Sequence, residues 1–263
     1  MVPCYFGDSE KPLYGVYHPA DAPAVKAAGV VFCNPLGHEY IRSHNAINKL
    51  SNLLAKSGYH VFRFDYFGTG DSSGDSEAAG IDQWHEDIGH AIDELKDISG
   101  VNKVSLVGLR FGALLAATLP KPAVDRLVLW DPVVSGGAYL EELRAIHQSM
   151  LADTDRFNAP GRYSPGCETN EMLGFLYSGG FQQSAGLHDL TNTTWASKRN
   201  IALVVSGEHE QYSQLRLRLA QSQCKLDYSV VATDGDWGNP AKIEKILMPY
   251  EMFPAIRQRL GSG

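Results

Sequence analysis

Arg110 sits in the stretch VSLVGLRFGALLAA, residues 104–117, where an apolar strand-like run, a tight turn bracketed by Gly108 and Gly112, and an apolar helix follow one another. A side chain on such a turn is presented at the start of the helix, where open backbone N–H groups from Phe111 onward carry partial positive charge. The guanidinium adds its own charge, and together they make an anion site suited to a carboxylate or phosphate held bidentately. Arginine stays protonated and offers no lone pair, which excludes it as a nucleophile. The competing reading is internal. An unpaired buried guanidinium is too costly, so a carboxylate such as Glu208, Glu210 or Asp236 would pair with Arg110 and plug the site. Two imidazoles have the chemistry for proton transfer: His38, which precedes Glu39, and His209, which stands between the two glutamates. Their ordinary pKa lies near the working range, and each could equally do no more than shape its loop.

These residues need a scaffold, and the chain supplies apolar runs bounded by turn residues that alternate with segments of helical period. That is the pattern of βαβ units building a mostly parallel sheet. VPCYF and LYGVYH predict an amino-terminal hairpin; GVVFCN (29–34), HVFRFDY (60–66), VSLVG (104–108), RLVLWDP (126–132), IALVVSG (201–207) and DYSVVA (227–232) predict the further strands. Ile47, Leu50 and Leu54 stripe one helix, opened by Ser43 and stopped near Gly58, and Ile81, Trp84, Ile88, Ile92 and Leu95 stripe another. After Pro132 the alternation lapses for about sixty residues, longer than an ordinary connection. That span holds a helical stretch, AYLEELRAIHQSMLADTDRF, and then Gly-, Ser- and Asn-rich sequence around MLGFLYSGGF. An insertion here lies over the carboxyl ends of the strands, where open α/β sheets bind ligands, so a cap or lid is expected over 133–195, with 1–132 and 196–263 forming the core.

Four features resemble the α/β-hydrolase family over nearly the whole chain outside that insertion. They are the elbow Gly108-Leu109-Arg110-Phe111-Gly112 in place of Gly-x-Ser-x-Gly; NPLGHEY after the third strand, where the family keeps its oxyanion loop; FDYFGTGDSSG after the fourth, like its Asp-x-x-Gly-x-Gly-x-Ser turn; and SGEHEQY after a late strand, where its acid sits. The Gly-Leu-Arg elbow also resembles a subset of hydrolase-like proteins associated with bacterial biosynthetic gene clusters. The resemblance implies an α/β-hydrolase fold with a mostly parallel sheet of about eight strands. It puts Glu208 or Glu210 at the acid position, Asp236 where the histidine should follow the last strand, and His38 and Glu39 beside the elbow. A serine triad needs an imidazole to shuttle its proton, and this chain has Arg110 for the serine and no histidine beyond His209. Ser72 and Ser73 lie in the turn the family uses structurally, with Asp65 as its fixing carboxylate.

Composition narrows the partners. With 23 Lys and Arg against 30 Asp and Glu, the net charge is −7, and no basic cluster offsets it, so no nucleic acid is expected. No apolar run approaches a membrane span and no secretory signal is visible, which makes cytoplasmic the expected location. The four cysteines are dispersed, with Cys33 read as a buried small hydrophobe. GTGDSSG has its third glycine one position late for a dinucleotide fingerprint. In HEDIGH the two histidines, His85 and His90, stand five apart, about 140° around a helix, and cannot share a zinc. No metal or cofactor is expected. The expected function is a non-serine-type enzyme on a small acyl, ester, thioester or carboxylate-bearing biosynthetic intermediate. Arg110 and the Phe111 N–H would hold the anion, His38, Glu208 or Asp236 would serve the chemistry, and Leu36, Glu39, Glu210 and Trp237 would line the substrate. The alternative is a catalytically silent binding or partner protein that kept the pocket and lost the triad.

Overall fold

A computed structural model of the chain describes residues 1–22, 25–120, 124–152, 170–233, 237 and 246–261. The predicted apolar runs form β1 (Val2–Phe6), β2 (Leu13–His18), β3 (Ala28–Cys33), β4 (His60–Phe64), β5 (Lys103–Leu109), β6 (Arg126–Trp130), β9 (Asn200–Val205) and β10 (Lys225–Val230). They join in one eight-stranded sheet in the order β1-β2-β4-β3-β5-β6-β9-β10. β1–β2 and β2–β4 are antiparallel, and every other neighbouring pair is parallel.

Alternation along the central strands feeds two cores. Val31 and Cys33 of β3, with Val104 and Leu106 of β5, face α2 (Ile81–Ser99), α3 (Phe111–Thr118) and α6 (Glu210–Gln221). Val30 and Phe32, with Val107 and Leu109, face α1 (Gly37–Lys56) and α7 (Met252–Gly261). Strands covered on both faces read as continuous apolar runs, which is why these segments were legible. Cys33 is fully buried, and burial pushes its thiol up to about 12, so it packs as a small hydrophobe.

α1 corrects one expected boundary. It begins at Gly37 behind Leu36, which offers no side-chain cap, and Ser43 lies inside it with its hydroxyl donating to the Glu39 carbonyl one turn back. A serine well within a helix has found its acceptor in the preceding turn and marks no boundary. The earlier start carries His38 and Glu39 onto the first turn.

Between β6 and β9 run α4 (Gly136–Leu151), the hairpin β7 (Glu171–Met172) with β8 (Phe175–Leu176), and α5 (Gly179–Gly186). The helix expected over 138–157 begins two residues earlier, at Gly136, and the last residues of the expected stretch lie outside the described ones. Ser135 and Ser178 cap α4 and α5 by accepting the Ala138 and Phe181 N–H groups. Tyr139, Leu143, Met172, Tyr177 and Phe181 join the same cluster as α2 and α3, so these elements pack directly on the parallel sheet's own core.

Candidate functional site

The elbow is built as its glycines require. A Cβ on Gly108 would lie 2.4 Å from Ala113 Cα, and one on Gly112 would lie 2.1 Å from the Cys33 carbonyl oxygen. With both side chains absent, α3 starts directly off β5 and Arg110 takes φ 52°, ψ −117° between them. That left-handed backbone is held by its own peptide bonds: Arg110 N–H donates to the Trp130 carbonyl at 3.0 Å, and its carbonyl accepts from Ala113 at 3.0 Å and Val133 at 3.1 Å. Strain of this kind in a non-glycine residue is characteristic of functional turns.

The side chain reaches a carboxylate that the sequence had placed among substrate contacts. Arg110 Nε donates to Glu39 Oε1 at 2.8 Å, with side chains 11% and 2% exposed. Tyr139 donates its hydroxyl to Glu39 Oε2 at 3.1 Å, and the Tyr212 hydroxyl is a further partner of the guanidinium. Burial alone would push the Arg110 guanidinium down, but Glu39, Tyr212 and Tyr139 together hold it above its ordinary value. Glu142, about half exposed on α4, stands 3.9 Å from an outer guanidinium nitrogen.

Two of the three carboxylates expected to answer Arg110 are elsewhere. Glu208 is exposed and accepts from the Tyr228 hydroxyl at 2.9 Å, and Glu210, exposed at the start of α6, pairs with Gln214. They follow β9 into solvent, so neither is the plug. His209 precedes α6, exposed, with its ring edge-on to Tyr212. Asp236 lies outside the described residues. The buried acid near the elbow is instead Asp131, one residue beyond β6, with φ 41°. Its Oδ1 accepts the Ser206 N–H at 2.6 Å and its Oδ2 accepts Trp237 Nε1 at 3.0 Å. Burial pushes the Asp131 carboxyl up while these donors and Arg110 pull it down, burial prevailing. The sequence reading took Asp131 as the end of the strand RLVLWDP. An aspartate directly after a buried run beside the elbow strand was the available signal.

His38 is 7% exposed, bonds the Trp237 backbone, and has no partner at Nε2 among the described residues. Burial, then Arg42 and Arg110, lower it to about 4, so the ring is neutral and a poor proton acceptor at neutral pH. His18, wedged between Asn52 and Arg63, and His85, against Thr118 and His188, are likewise lowered by burial to about 4. Unfolded imidazoles take up protons from about pH 6.5 downward and these three only near 4, so the unfolded state binds more protons in between and stability falls as pH falls. Urea unfolding at pH 7, 6 and 5 should therefore lose on the order of 1–2 kcal/mol per histidine across that window. A flat profile from pH 7 to 5 would contradict the burial of these rings.

A cavity of about 250 Å³ lies alongside, bounded by Asn34–Gly37, the turn around Asp65–Gly70, Trp84, Phe175–Tyr177 and Phe181. Leu36 lines it, but Arg110 and Phe111 do not. Phe111 is fully buried, with the Tyr139 and Phe181 rings tilted against its own. Arg110 faces Glu39 and Tyr139 outside this cavity's wall. Trp237, expected to line substrate, is buried against Trp130. Asp65 fixes its turn by accepting the Asp71 N–H at 3.0 Å, and Ser72 is committed to the Asp65 carbonyl and the Tyr14 N–H.

This strand order, with a sharp turn after β5, invites comparison with known proteins. The model of the family described as serine aminopeptidase, S33, matches residues 26–161, a little over half the chain. The chain belongs to that family. It is 36% identical over 78 residues to the lysophosphatidylserine lipase ABHD12 of Xenopus tropicalis; the match spans 30% of this chain and 19% of that one, so it covers only a small part of the relative's length. Among solved structures, Est1E from Butyrivibrio proteoclasticus with bound ferulic acid superposes with a TM-score of 0.65 at 16% identity, covering 98% of this chain and 97% of that one. The mouse α/β-hydrolase domain-containing protein 10 gives 0.61 at 18% identity, covering 99% of both. The proline iminopeptidase of Mycobacterium smegmatis gives 0.60 at 15% identity over the full length of both. These likenesses establish the α/β-hydrolase fold for this S33-family chain. Among the described residues, no helix is long and apolar enough to cross a membrane.

Proposed function

We propose that this chain is a non-hydrolytic member of its family, a small-molecule-binding protein whose nucleophile seat is closed by an internal ion pair. The observation that carries this reading is the Arg110–Glu39 contact, 2.8 Å between two nearly buried charges. A carboxylate already occupies the guanidinium's inner edge, and Tyr139 holds that carboxylate from its other side. A substrate anion would have to displace a buried partner to reach the same nitrogens, at a cost of several kcal/mol. The adjacent cavity, free of both charges, is the binding site in this reading, and the inserted elements over it act as its cap.

The second reading keeps an enzyme of non-serine type that acts on an acyl, ester, thioester or carboxylate-bearing biosynthetic intermediate. Glu142 favours it: at 3.9 Å and about half exposed, it leaves the outer edge of the Arg110 fork open to a competing carboxylate. Lipase and iminopeptidase activities, named for the relatives, fit neither reading, because position 110 offers no nucleophile.

A fluorophosphonate probe and p-nitrophenyl acetate test the first reading together. No serine should be labelled and ester turnover should stay at background. Stoichiometric labelling of any serine would overturn it.

A further inference from the structure

Deepening the binding-protein reading, on which this inference rests, the chemistry of the cavity walls defines what they take. Tyr40, Tyr66, Trp84, Phe175, Tyr177 and Phe181 bring six aromatic rings to a space of about 250 Å³. No lysine, arginine or histidine is among the described residues that line it. The charged group in the wall is Asp65, whose oxygens accept from Tyr40 and from the Asp71 N–H, each keeping acceptor capacity for one more donor. Arg63 stands close enough to Asp65 and Tyr40 to interact electrostatically, but its Nε is committed to His18 outside the cavity. Asn34, also in the wall, is tied back by its Nδ2, which donates to the Phe64 carbonyl at 2.6 Å.

An anionic ligand would find no cationic side chain among the described residues of the wall and would face a carboxylate. A protonated amine on an apolar body suits these walls: its N–H groups meet Asp65, its charge rests against ring faces, and its carbon skeleton fills the rest. We infer that the cavity is a site for a small arylalkyl or alkyl amine, bound as its ammonium ion, with Asp65 as counterion. This departs from the anionic or acyl ligand expected from Arg110, because the charge that suggested it is spent on Glu39.

The test is a matched pair of nearly the same size, phenethylamine and 3-phenylpropionate, titrated into the intact protein by calorimetry and followed by thermal shift. Phenethylamine should bind at least about tenfold more tightly than the carboxylate, the difference expected for one charge-assisted hydrogen bond. Asp65→Asn should remove most of that preference. Because Asp65 also ties its own turn, Ser76→Phe serves as the second variant. Ser76 lines the cavity, and a phenyl ring there should abolish amine binding while the melting temperature in buffer is kept. Equal or tighter binding of 3-phenylpropionate, no detectable binding of the amine, or amine binding unchanged by Ser76→Phe would each overturn the inference. Hydrolysis of phenethyl acetate by the unmodified protein would instead overturn the non-hydrolytic reading, so the two failures are told apart.

Discussion

Arg110→Ala should destabilise the protein by about 3–5 kcal/mol, a fall of roughly 10 °C in melting temperature for a chain of this size. Glu39 is 1% exposed, and without the guanidinium its Oε1 loses a charge-assisted partner while Tyr139 alone serves Oε2. An uncompensated buried carboxylate is the cause, so neutralising it should reverse the loss. Arg110→Met with Glu39→Gln should recover more than half of the stability, since the amide still bonds Tyr139 and no charge is stranded. Arg110→Gly separates the second contribution. It relieves the left-handed backbone at φ 52° but strands the same carboxylate, so it should be slightly better than alanine and far short of the double variant. Were Arg110 there to clamp a substrate, Arg110→Ala would leave the melting temperature in place and cost only ligand affinity. An unchanged melting temperature would count against the plug.

The sheet was legible because central strands of an α/β fold are apolar on both faces and end in turn residues, so the runs at 29–34, 104–108 and 201–207 announced themselves. The elbow was legible for a different reason: Gly108 and Gly112 are demanded by backbone contacts under 3 Å, and only glycine meets them. The partner of Arg110 was not. Glu39 lies 71 residues away along the chain, and it comes into reach only because α1 begins at Gly37, without a capping side chain to mark its start. Chain order and charge pointed to Glu208, Glu210 or Asp236 and passed over Glu39. Burial chose, and burial is decided by which turn of which helix faces the sheet. Asp131 was hidden in a strand for a similar reason, since a carboxylate at a strand end reads as a boundary until its donors are seen.

Asp131 and Trp237 are hydrogen-bonded to each other near the elbow, and they lead to the largest expected gain of function. In a serine triad the acid accepts from one nitrogen of an imidazole whose other nitrogen serves the nucleophile. Here the acid accepts from an indole N–H at 3.0 Å, and indole, a donor only, has no second nitrogen with which to take a proton. Arg110 Nη1 approaches the Asp131 carbonyl at 3.5 Å, which places the elbow side chain beside the same acid. Arg110→Ser with Glu39→Gln supplies a hydroxyl and removes the stranded charge, yet without a base it should stay at background on p-nitrophenyl acetate. Adding Trp237→His places a basic nitrogen where the indole stood, with Asp131 to orient it, and should raise turnover by about 10²-fold over the double variant. The triple variant should also take up a fluorophosphonate probe at position 110, and adding Asp131→Asn should remove most of the gain, because the imidazole loses the acceptor that fixes its tautomer. Loss of the indole leaves a void in the core around Trp130, so the assay belongs at low temperature on protein shown to be folded. Equal activity with and without Trp237→His would mean that a ring at position 237 cannot serve a hydroxyl at position 110.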